Sequence, residues 1–274
     1  MKPLSSRISA RSIVQIAVVL IFLLPVAWMV MAALQPPGTA LPTKLQDLPM
    51  AVSGSNFGRV FKVVPFGRYT LNSLLVVVLA VPLTLLISSW AGFAMARLPR
   101  PSQRRWLILS LAVLMVPGVA LWSTRFIIYR QLGWLDSIWA LIAPALMGTS
   151  PFFILMFYRA FRRIPAAIYD SARIDGAGVL RIWSSVALPV ARPTAVAVAI
   201  LSFVLYWGDF ISPLLYLSSE QRYTLPIALQ LLQQLNRSDW PLLLAAAVLT
   251  MAIPVLLFML AQPYFSRVGN EPGK

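Results

Sequence analysis

The stretch NSLLVVVLAVPLTLLISSWAGFAMA, residues 72–96, contains no charged side chain and is followed at once by Arg97. A helix that crosses roughly 30 Å of hydrocarbon needs about 20 apolar residues, and in lipid the helix satisfies every backbone polar group internally. Residues 72–96 therefore predict a transmembrane helix. Five more stretches meet the same requirement, and together they predict an all-α membrane protein with six transmembrane helices in a single domain, 1–274: they are 12–34, 106–124, 138–158, 194–215 and 241–261.

The composition supports a membrane protein and argues against two other classes. Of the 274 residues, 59% are hydrophobic and only 11% are charged, less than half the charged share that is usual in a soluble domain. The net charge of +15 suggests nucleic-acid binding, but the basic residues lie in short loops between apolar runs, which argues against it. Because the chain has neither cysteine nor histidine, disulfides are excluded, and the commonest general base and metal ligand is absent. We therefore predict neither a catalytic nor a metal site.

The distribution of Lys and Arg predicts the orientation. With the N-terminus in the cytoplasm, the pieces 1–11, 97–105, 159–193 and 262–274 hold 15 of the 23 basic residues, and the outer pieces hold 8. An excess of positive charge marks cytoplasmic loops. We predict a multi-pass protein of the bacterial inner membrane, in contact with its lipid, with both termini cytoplasmic. The first apolar run is longer than the 7–15 residues of a signal peptide, so we expect an uncleaved span.

Prolines lie inside most of the predicted spans. A proline removes a backbone hydrogen bond and tends to kink a helix. The prolines indicate bent helices around a path that opens and closes, or only the general frequency of proline in membrane helices, and the sequence leaves both interpretations open. They are Pro25, Pro82, Pro117, Pro144, Pro151, Pro213 and Pro254.

The longest cytoplasmic loop, 159–193, contains a predicted short helix over 165–175. Pro165 suits the first helical position, where its missing N–H costs nothing, and Gly176 suits the left-handed residue that ends a helix. At about 16 Å, this helix is too short and too polar to cross the membrane.

Small side chains share one side of this short helix. Ala167 and Ser171 are four residues apart, as are Ile168 and Ala172, so each pair stacks along one face. Asp170 and Arg173, three apart, can pair at the rim. Such a face allows another surface to approach closely, which favours a docking element; an interfacial helix on anionic lipid is the alternative.

The segment from Asp170 to Pro189 resembles the EAA motif of permease subunits in binding-protein-dependent ABC importers. That motif reads Glu-Ala-Ala, three residues, Gly, nine residues, Ile, one residue, Leu-Pro. Here Asp170-Ser171-Ala172 precede Gly176 at the motif's spacing, and Val186 and Leu188-Pro189 complete it. Asp170, Ser171 and Val186 replace the motif's Glu, Ala and Ile.

Two further stretches extend the resemblance over nearly the whole chain. RYTLNSLLV at 68–76 resembles the start of the family's second span, and YWGDF at 206–210 resembles its Trp-Asn-Asp-Phe element with Gly208 in the Asn place. Together they are most similar to the carbohydrate-uptake branch, specifically to the smaller maltose-type permease subunit. The resemblance implies a sugar or sugar-like substrate, with a permease for a polyamine or phosphonate as the alternative.

The resemblance also implies partners and roles. In this family the EAA helix is a coupling helix seated in a groove of a separate ATPase subunit, which binds the ATP and Mg. A second, related permease subunit and an extracytoplasmic substrate-binding protein complete the importer. This chain has no G-x-x-x-x-G-K-[ST] stretch, so we expect it to be no enzyme and to hold no cofactor. The coupling residues implied are Pro165, Asp170, Ser171, Ala172, Arg173, Asp175, Gly176, Leu188 and Pro189.

Asp209 is the one acid well inside a predicted span. A carboxylate facing lipid there costs at least about 2.5–3.5 kcal/mol, so we expect it to face water, substrate or a partner group. With Trp207, Gly208 and Phe210 it forms a candidate substrate path, in which rings stack on a sugar beside an acceptor. The alternative is a residue near a helix end, hydrogen-bonded to Ser212 or to the backbone.

Secondary transporters are the main rival class. Ion-coupled carriers place charged residues in the membrane, often as relays, and tend to contain internal repeats. A single central acid and no evident repeat argue against a carrier here, and one buried acid without histidine or cysteine offers no dyad for an intramembrane enzyme.

Overall fold

The structure is a computed structural model that describes residues 10–40 and 52–269, and in these ranges it is helical without strands, which confirms the predicted all-α class. The chain divides into two compact units: Met1–Phe66 with Ala228–Val255, and Gly67–Ile227 with Leu256–Lys274. Residues 1–9 and 270–274 of the predicted cytoplasmic ends, and residues 41–51 of the first outer loop, lie outside the described residues.

The first unit contains α1 (Ala10–Ala33), α2 (Ser55–Val63), residues 228–235 of a helix that begins in the second unit, and the first half of the last helix. The Asn56 amide donates hydrogen bonds to the carbonyls of Ala33 (2.9 Å) and Gln35 (2.7 Å), so α2 satisfies carbonyls that the end of α1 leaves without helical partners. Arg59 pairs with Asp239 at 2.6 Å. Burial would raise the pKa of Asp239, but hydrogen bonds from Arg59 and two backbone N–H groups lower it below its usual range.

The second unit holds the longest continuous helix and most of the shorter ones. A 3-10 turn, Ala143–Met147, extends α6, and the middle of α9, Ile182–Ala187, is π-helix. The remaining bounds, including the two helices shared with the first unit, are α3 (Phe66–Arg97), α4 (Arg100–Leu114), α5 (Gly118–Gln131), α6 (Ile138–Ile142), α7 (Pro151–Arg162), α8 (Ala166–Ile174), α9 (Val179–Val190), α10 (Arg192–Trp207), α11 (Ile211–Tyr216), α12 (Leu225–Leu235) and α13 (Trp240–Gly269).

Four helical stretches of the described chain are long and apolar enough to cross a membrane, or up to six if each of two bent pairs forms one span. The bent pairs are α4 with α5, which meet at 91°, and α9 with α10, which meet at 83°. The predicted span 72–96 lies inside α3, and 12–34 and 241–261 closely match α1 and the start of α13.

Three of the predicted spans are interrupted rather than continuous helices, although 138–158 lies within one of the four candidate spans, Ile138–Arg162. The span 106–124 breaks at 115–117, 138–158 breaks at 148–150, and 194–215 breaks at 208–210. At the first two breaks the next helix starts with a proline at its boundary, Pro117 or Pro151. The residue before a proline is pushed towards extended backbone, and Ser150 accordingly has φ −151° and ψ 139°.

Some of the prolines lie inside continuous helices, and others lie at or near helix starts. Pro25, Pro82 and Pro254 lie within continuous helices. Pro213 is the third residue of α11, where the lack of an N–H removes no intrahelical bond. Proline alone therefore does not decide where the backbone breaks.

Helix α3 crosses α7 closely at Gly92. A Cβ atom at this position would lie 2.7 Å from Phe157 Cβ and within 2.9 Å of backbone atoms of Tyr158 and Ile154. Small residues allow membrane helices to approach in this way. The contact places the end of α3 beside the end of α7, where the aromatic core that supports α8 begins.

The outer loop 216–240 is more ordered than the sequence predicts, because it contains α12 and a 3-10 turn, Glu220–Arg222. Asp136, at a left-handed φ of 53°, accepts hydrogen bonds from the N–H groups of Ser218 (3.1 Å) and Ser219 (2.9 Å), from the Ser219 hydroxyl and from Arg222 (3.1 Å). Burial would raise the pKa of Asp136, but these bonds lower it. The Asp136 carboxylate thus fixes residues 218–222 at the start of this loop.

Candidate coupling helix and broken spans

Helix α8 begins and ends close to the predicted positions. Pro165 precedes the helix as its N-cap, with φ −56° and ψ 141°, so the prediction that it occupies the first helical position is wrong by one residue. Gly176 has the predicted left-handed backbone, with φ +77°. Its N–H donates to the Arg173 carbonyl, and the N–H of Ala177 donates to the Ala172 carbonyl, each at 2.9 Å. These two bonds form a Schellman motif that stops the helix.

Tyr169 anchors the inner face of α8. Its side chain is 3% exposed, and its hydroxyl donates a hydrogen bond to the Phe161 carbonyl at 3.2 Å. The guanidinium carbon of Arg97 lies 4.3 Å from the centre of the Tyr169 ring, and the Phe93 ring lies 6.1 Å away. One side chain therefore ties α8 to the ends of both α3 and α7.

The opposite face of α8 is open. Ala167, Asp170 and Ser171 are exposed, Ile168 is 44% exposed and Ile174 is 86% exposed. Asp170 and Arg173 form the predicted pair at 3.3 Å, but both side chains are more than half exposed, so the pair contributes little stability. Small polar and apolar side chains on one open face are suited to contact with a second surface.

The second half of the motif forms a corner. Val186, Leu188 and Pro189 lie in α9, which meets α10 at 83°, and the π-helical segment Ile182–Ala187 precedes Leu188. Single-turn π segments are rare and are frequent at functional sites. The buried residues Ile182 and Ala187 belong to the same core as Tyr169, so α8 and α9 share one packed base.

The candidate substrate path lies at the break between α10 and α11. Gly208 is exposed, and Asp209 and Phe210 are half-buried. Asp209 Oδ1 accepts the N–H of Ser212 at 3.1 Å, which matches the alternative interpretation of a carboxylate near a helix end. Trp207 is only 5% exposed, and its ring stacks on Phe203 with centres 5.7 Å apart.

Three hydroxyl groups connect the break at 148–150 with the helix end before the break at 208–210, and the sequence does not indicate this contact. Thr149, at a left-handed φ of 62°, shares a hydrogen bond with Thr84 of α3 and one of 2.9 Å with the Tyr206 hydroxyl. A β-branched residue in this region is strained. The neighbouring Gly148 and Pro151 could have indicated a break, but the apolar run 138–158 concealed it.

Other residues of the site also carried no sequence signal that we used. Tyr169 lies in the predicted short helix and Arg97 in a predicted loop, but nothing in the sequence indicates that they are in contact, and the exposure of Ile174 depends on the packing of α8. Apolar residues inside a predicted cytoplasmic loop are the signal that could have identified Ile174. Among the described residues, no group of three or more His, Cys, Asp or Glu side chains could hold a metal ion.

These features define a multi-pass, all-α membrane protein of the permease type, with broken spans and one exposed short helix. The model of the family described as "Binding-protein-dependent transport system inner membrane component" matches residues 4–268. The chain belongs to this family, as its EAA-like motif predicts, and it is therefore a multi-pass inner-membrane transport component.

Several characterised relatives cover most of the chain. The chain is 31% identical to the diacetylchitobiose uptake system permease protein of Streptomyces coelicolor, over 86% of this chain and 78% of that protein. It is 28% identical to the trehalose transport system permease protein of Mycobacterium tuberculosis, over 87% and 86%. It is 31% identical to the sulfoquinovosyl glycerol transport system permease protein of Agrobacterium fabrum, over 88% and 84%.

A solved structure has the same fold. A chain of a bacterial ABC transporter involved in the import of the acidic polysaccharide alginate aligns with a TM-score of 0.71 at 22% identity, covering 96% of this chain and all of that one.

Proposed function

We propose that this chain is the transmembrane permease subunit of an ATP-driven ABC importer for a sugar or sugar-like solute. The relatives named above carry diacetylchitobiose, trehalose and a sulfoquinovosyl glycerol in their names. We propose that an extracytoplasmic binding protein delivers the solute and that a second, related permease subunit completes the path. A second alginate-transporter chain of this fold was solved in complex with a periplasmic binding protein, which supports this arrangement.

The two-sided structure of α8 carries the proposal. One face is fixed to α3 and α7 through the buried Tyr169, and the other presents Ile174 and small side chains outward. A helix that is held firmly on one side and open on the other can transmit a push from a docked subunit. We propose that α8 docks on a separate ATPase, which binds ATP and Mg, and that both termini of this chain are cytoplasmic, on the same side as α8.

Motion would pass from α8 to the spans through the shared base. Because Tyr169 of α8 and Ile182 and Ala187 of α9 pack in one core, a displacement of α8 moves α9 with it. The 83° corner between α9 and α10 then turns this displacement into a tilt of α10. Rigid-body rotation of this kind is a common switching transition. Leu188 and Pro189 lie just before that corner.

Uptake driven by ATP distinguishes this function from a secondary transporter. We expect deletion of the gene to abolish uptake of at least one of radiolabelled trehalose, maltose and diacetylchitobiose. In wild-type cells that uptake should survive collapse of the ion gradient while ATP is held constant. Uptake that stops with the gradient would assign the chain to an ion-coupled carrier.

Substitution of Asp209 tests the substrate path. In Asp209→Ala, uptake should fall roughly tenfold if the carboxylate bonds the solute, since such a charged bond contributes about 1.5–3 kcal/mol. Asp209→Asn is the matched control, because its side-chain oxygen can still accept the Ser212 N–H that caps α11. We expect Asn to keep the membrane level of the protein and to leave uptake reduced. Unaltered kinetics in Asp209→Ala would limit Asp209 to capping.

A further inference from the structure

A cavity of about 420 Å³ lies between the end of α3, α8 and α9. Most of its wall is apolar, and the Trp90 and Trp183 rings meet edge to face on it with centres 5.5 Å apart. At its rim, Val179 and Leu180 are 74% and 64% exposed. A cavity with this lining suits a hydrocarbon chain.

Two arginines, Arg97 and Arg173, line the same cavity. Within the described chain no carboxylate lies within 4 Å of the Arg97 guanidinium, which contacts the face of the Tyr169 ring. Among the described residues, Arg173 pairs at the surface with the exposed Asp170. The mouth of an apolar cavity thus carries positive charge that Asp170 offsets only in part, and an anion attached to an apolar chain matches both properties.

The position of the cavity selects the source of that anion. The apolar run of α3 ends at Arg97, and α9 runs at 83° to α10, so if α10 crosses the bilayer near its normal, α9 lies along the surface. In the orientation of the proposed function, on which this inference rests, this surface is the cytoplasmic leaflet, which is rich in anionic lipid.

We propose that the cavity binds one anionic phospholipid, with its phosphate at Arg97 and Arg173 and an acyl chain against Trp90 and Trp183. The bound lipid joins the end of α3 to α8, because each arginine belongs to a different helix. It therefore stiffens the base through which α8 moves the spans. The indole N–H of Trp183, which is buried without an acceptor among the described residues, borders this wall and could donate to a lipid oxygen after a small shift.

Quenching of tryptophan fluorescence by brominated lipid measures this binding on the full chain in detergent, without ATPase or solute. We expect dibrominated phosphatidylglycerol to quench at lower mole fraction than dibrominated phosphatidylcholine. The difference should disappear in a Trp90→Phe, Trp183→Phe double variant, which keeps the other tryptophans. In Ala94→Phe, whose new ring fills the cavity that Ala94 lines, the difference should also be lost.

Charge variants locate the headgroup. Since one basic residue near a lipid surface contributes about fivefold in affinity, Arg173→Gln should raise the half-saturating phosphatidylglycerol about fivefold. Arg181→Gln is the matched control, because Arg181 is an exposed arginine of α9 that does not line the cavity. It should leave the titration unchanged.

Several results would overturn the proposal. Equal quenching by the two lipids would show only lipid that surrounds the protein without a specific site. Equal effects of Arg173→Gln and Arg181→Gln would place the headgroup elsewhere. Full competition by soluble glycerol 1-phosphate would show an anion site that needs no lipid. Phosphatidylglycerol quenching that is lost when the ATPase subunit is added would assign the cavity to that subunit. If wild-type cells showed no ATP-driven uptake, the proposed function would be contradicted, but the quenching measurements would still report on lipid binding.

Discussion

Gly92→Ala is expected to push α3 away from α7 and to lower the thermal stability of the protein. The added Cβ would lie 2.7 Å from Phe157 Cβ, 2.8 Å from the Tyr158 nitrogen and 2.9 Å from the Ile154 oxygen. Two of these atoms are backbone, so a side-chain rotation cannot relieve the clash. Overpacking costs about 1–3 kcal/mol or more, and we expect the upper end, which corresponds to a fall in Tm of about 6–12 °C.

Gly67→Ala is the matched control for this prediction. Gly67 lies in the same helix, and apart from the neighbouring backbone of that helix no heavy atom lies within 4 Å of the Cβ that it would gain. Because alanine favours helix over glycine by up to about 1 kcal/mol, its Tm should stay the same or rise slightly. Thermal unfolding in detergent measures both variants, and a Gly92→Ala protein as stable as wild type would contradict the close crossing of α3 and α7.

Tyr169 and Ile174 should separate the folding role of α8 from its docking role. Tyr169→Ala removes a buried ring that contacts Phe93 and Arg97, and loss of a buried aromatic side chain costs about 3–5 kcal/mol. We expect its Tm to fall well below that of Tyr169→Phe, which loses only the bond to the Phe161 carbonyl, worth about 1 kcal/mol.

Ile174→Ser should leave folding unchanged and weaken ATPase binding about 10- to 30-fold, the effect of losing a central interface contact of about 1.4–2 kcal/mol. Binding of the purified ATPase subunit to the permease in detergent measures this effect. Leu235→Ser is the matched control, because Leu235 is a similarly exposed apolar residue, at 65% against 86%, in a segment that the sequence places on the outer side. Equal ATPase affinity in the two variants would contradict docking through α8.

The membrane class and most of the apolar segments could be predicted from sequence, because the requirement is local. Each of α1, α3 and α13 is an apolar stretch that needs no partner to be recognised. The breaks at 115–117, 148–150 and 208–210 could not be predicted, because no local residue type decides where they occur. Pro82 stays inside α3 while Pro117 and Pro151 stand at helix starts, and the residue type is the same in each case.

The short helix α8 was predicted within one residue because its ends are set by Pro165 and Gly176. Its role as a coupling helix stays a prediction, as do the roles of Gly208, Asp209 and Phe210. The stacking of Trp207 on a sugar also stays a prediction; in the structure its ring packs against Phe203. A helical period of four residues between these rings was visible in the sequence but does not show which face is buried.

The sequence alone determined that the chain belongs in a membrane, which segments form its basic loops, and that a short helix stops at Gly176. Hydrophobicity and left-handed backbone could be predicted because they are properties of a few adjacent residues. Only the tertiary structure decided which face of α8 is buried, how closely α3 passes α7, and that Thr149 meets Thr84 and Tyr206. These contacts join residues far apart along the chain, and their energies depend on how side chains fit together in space, which no local pattern records.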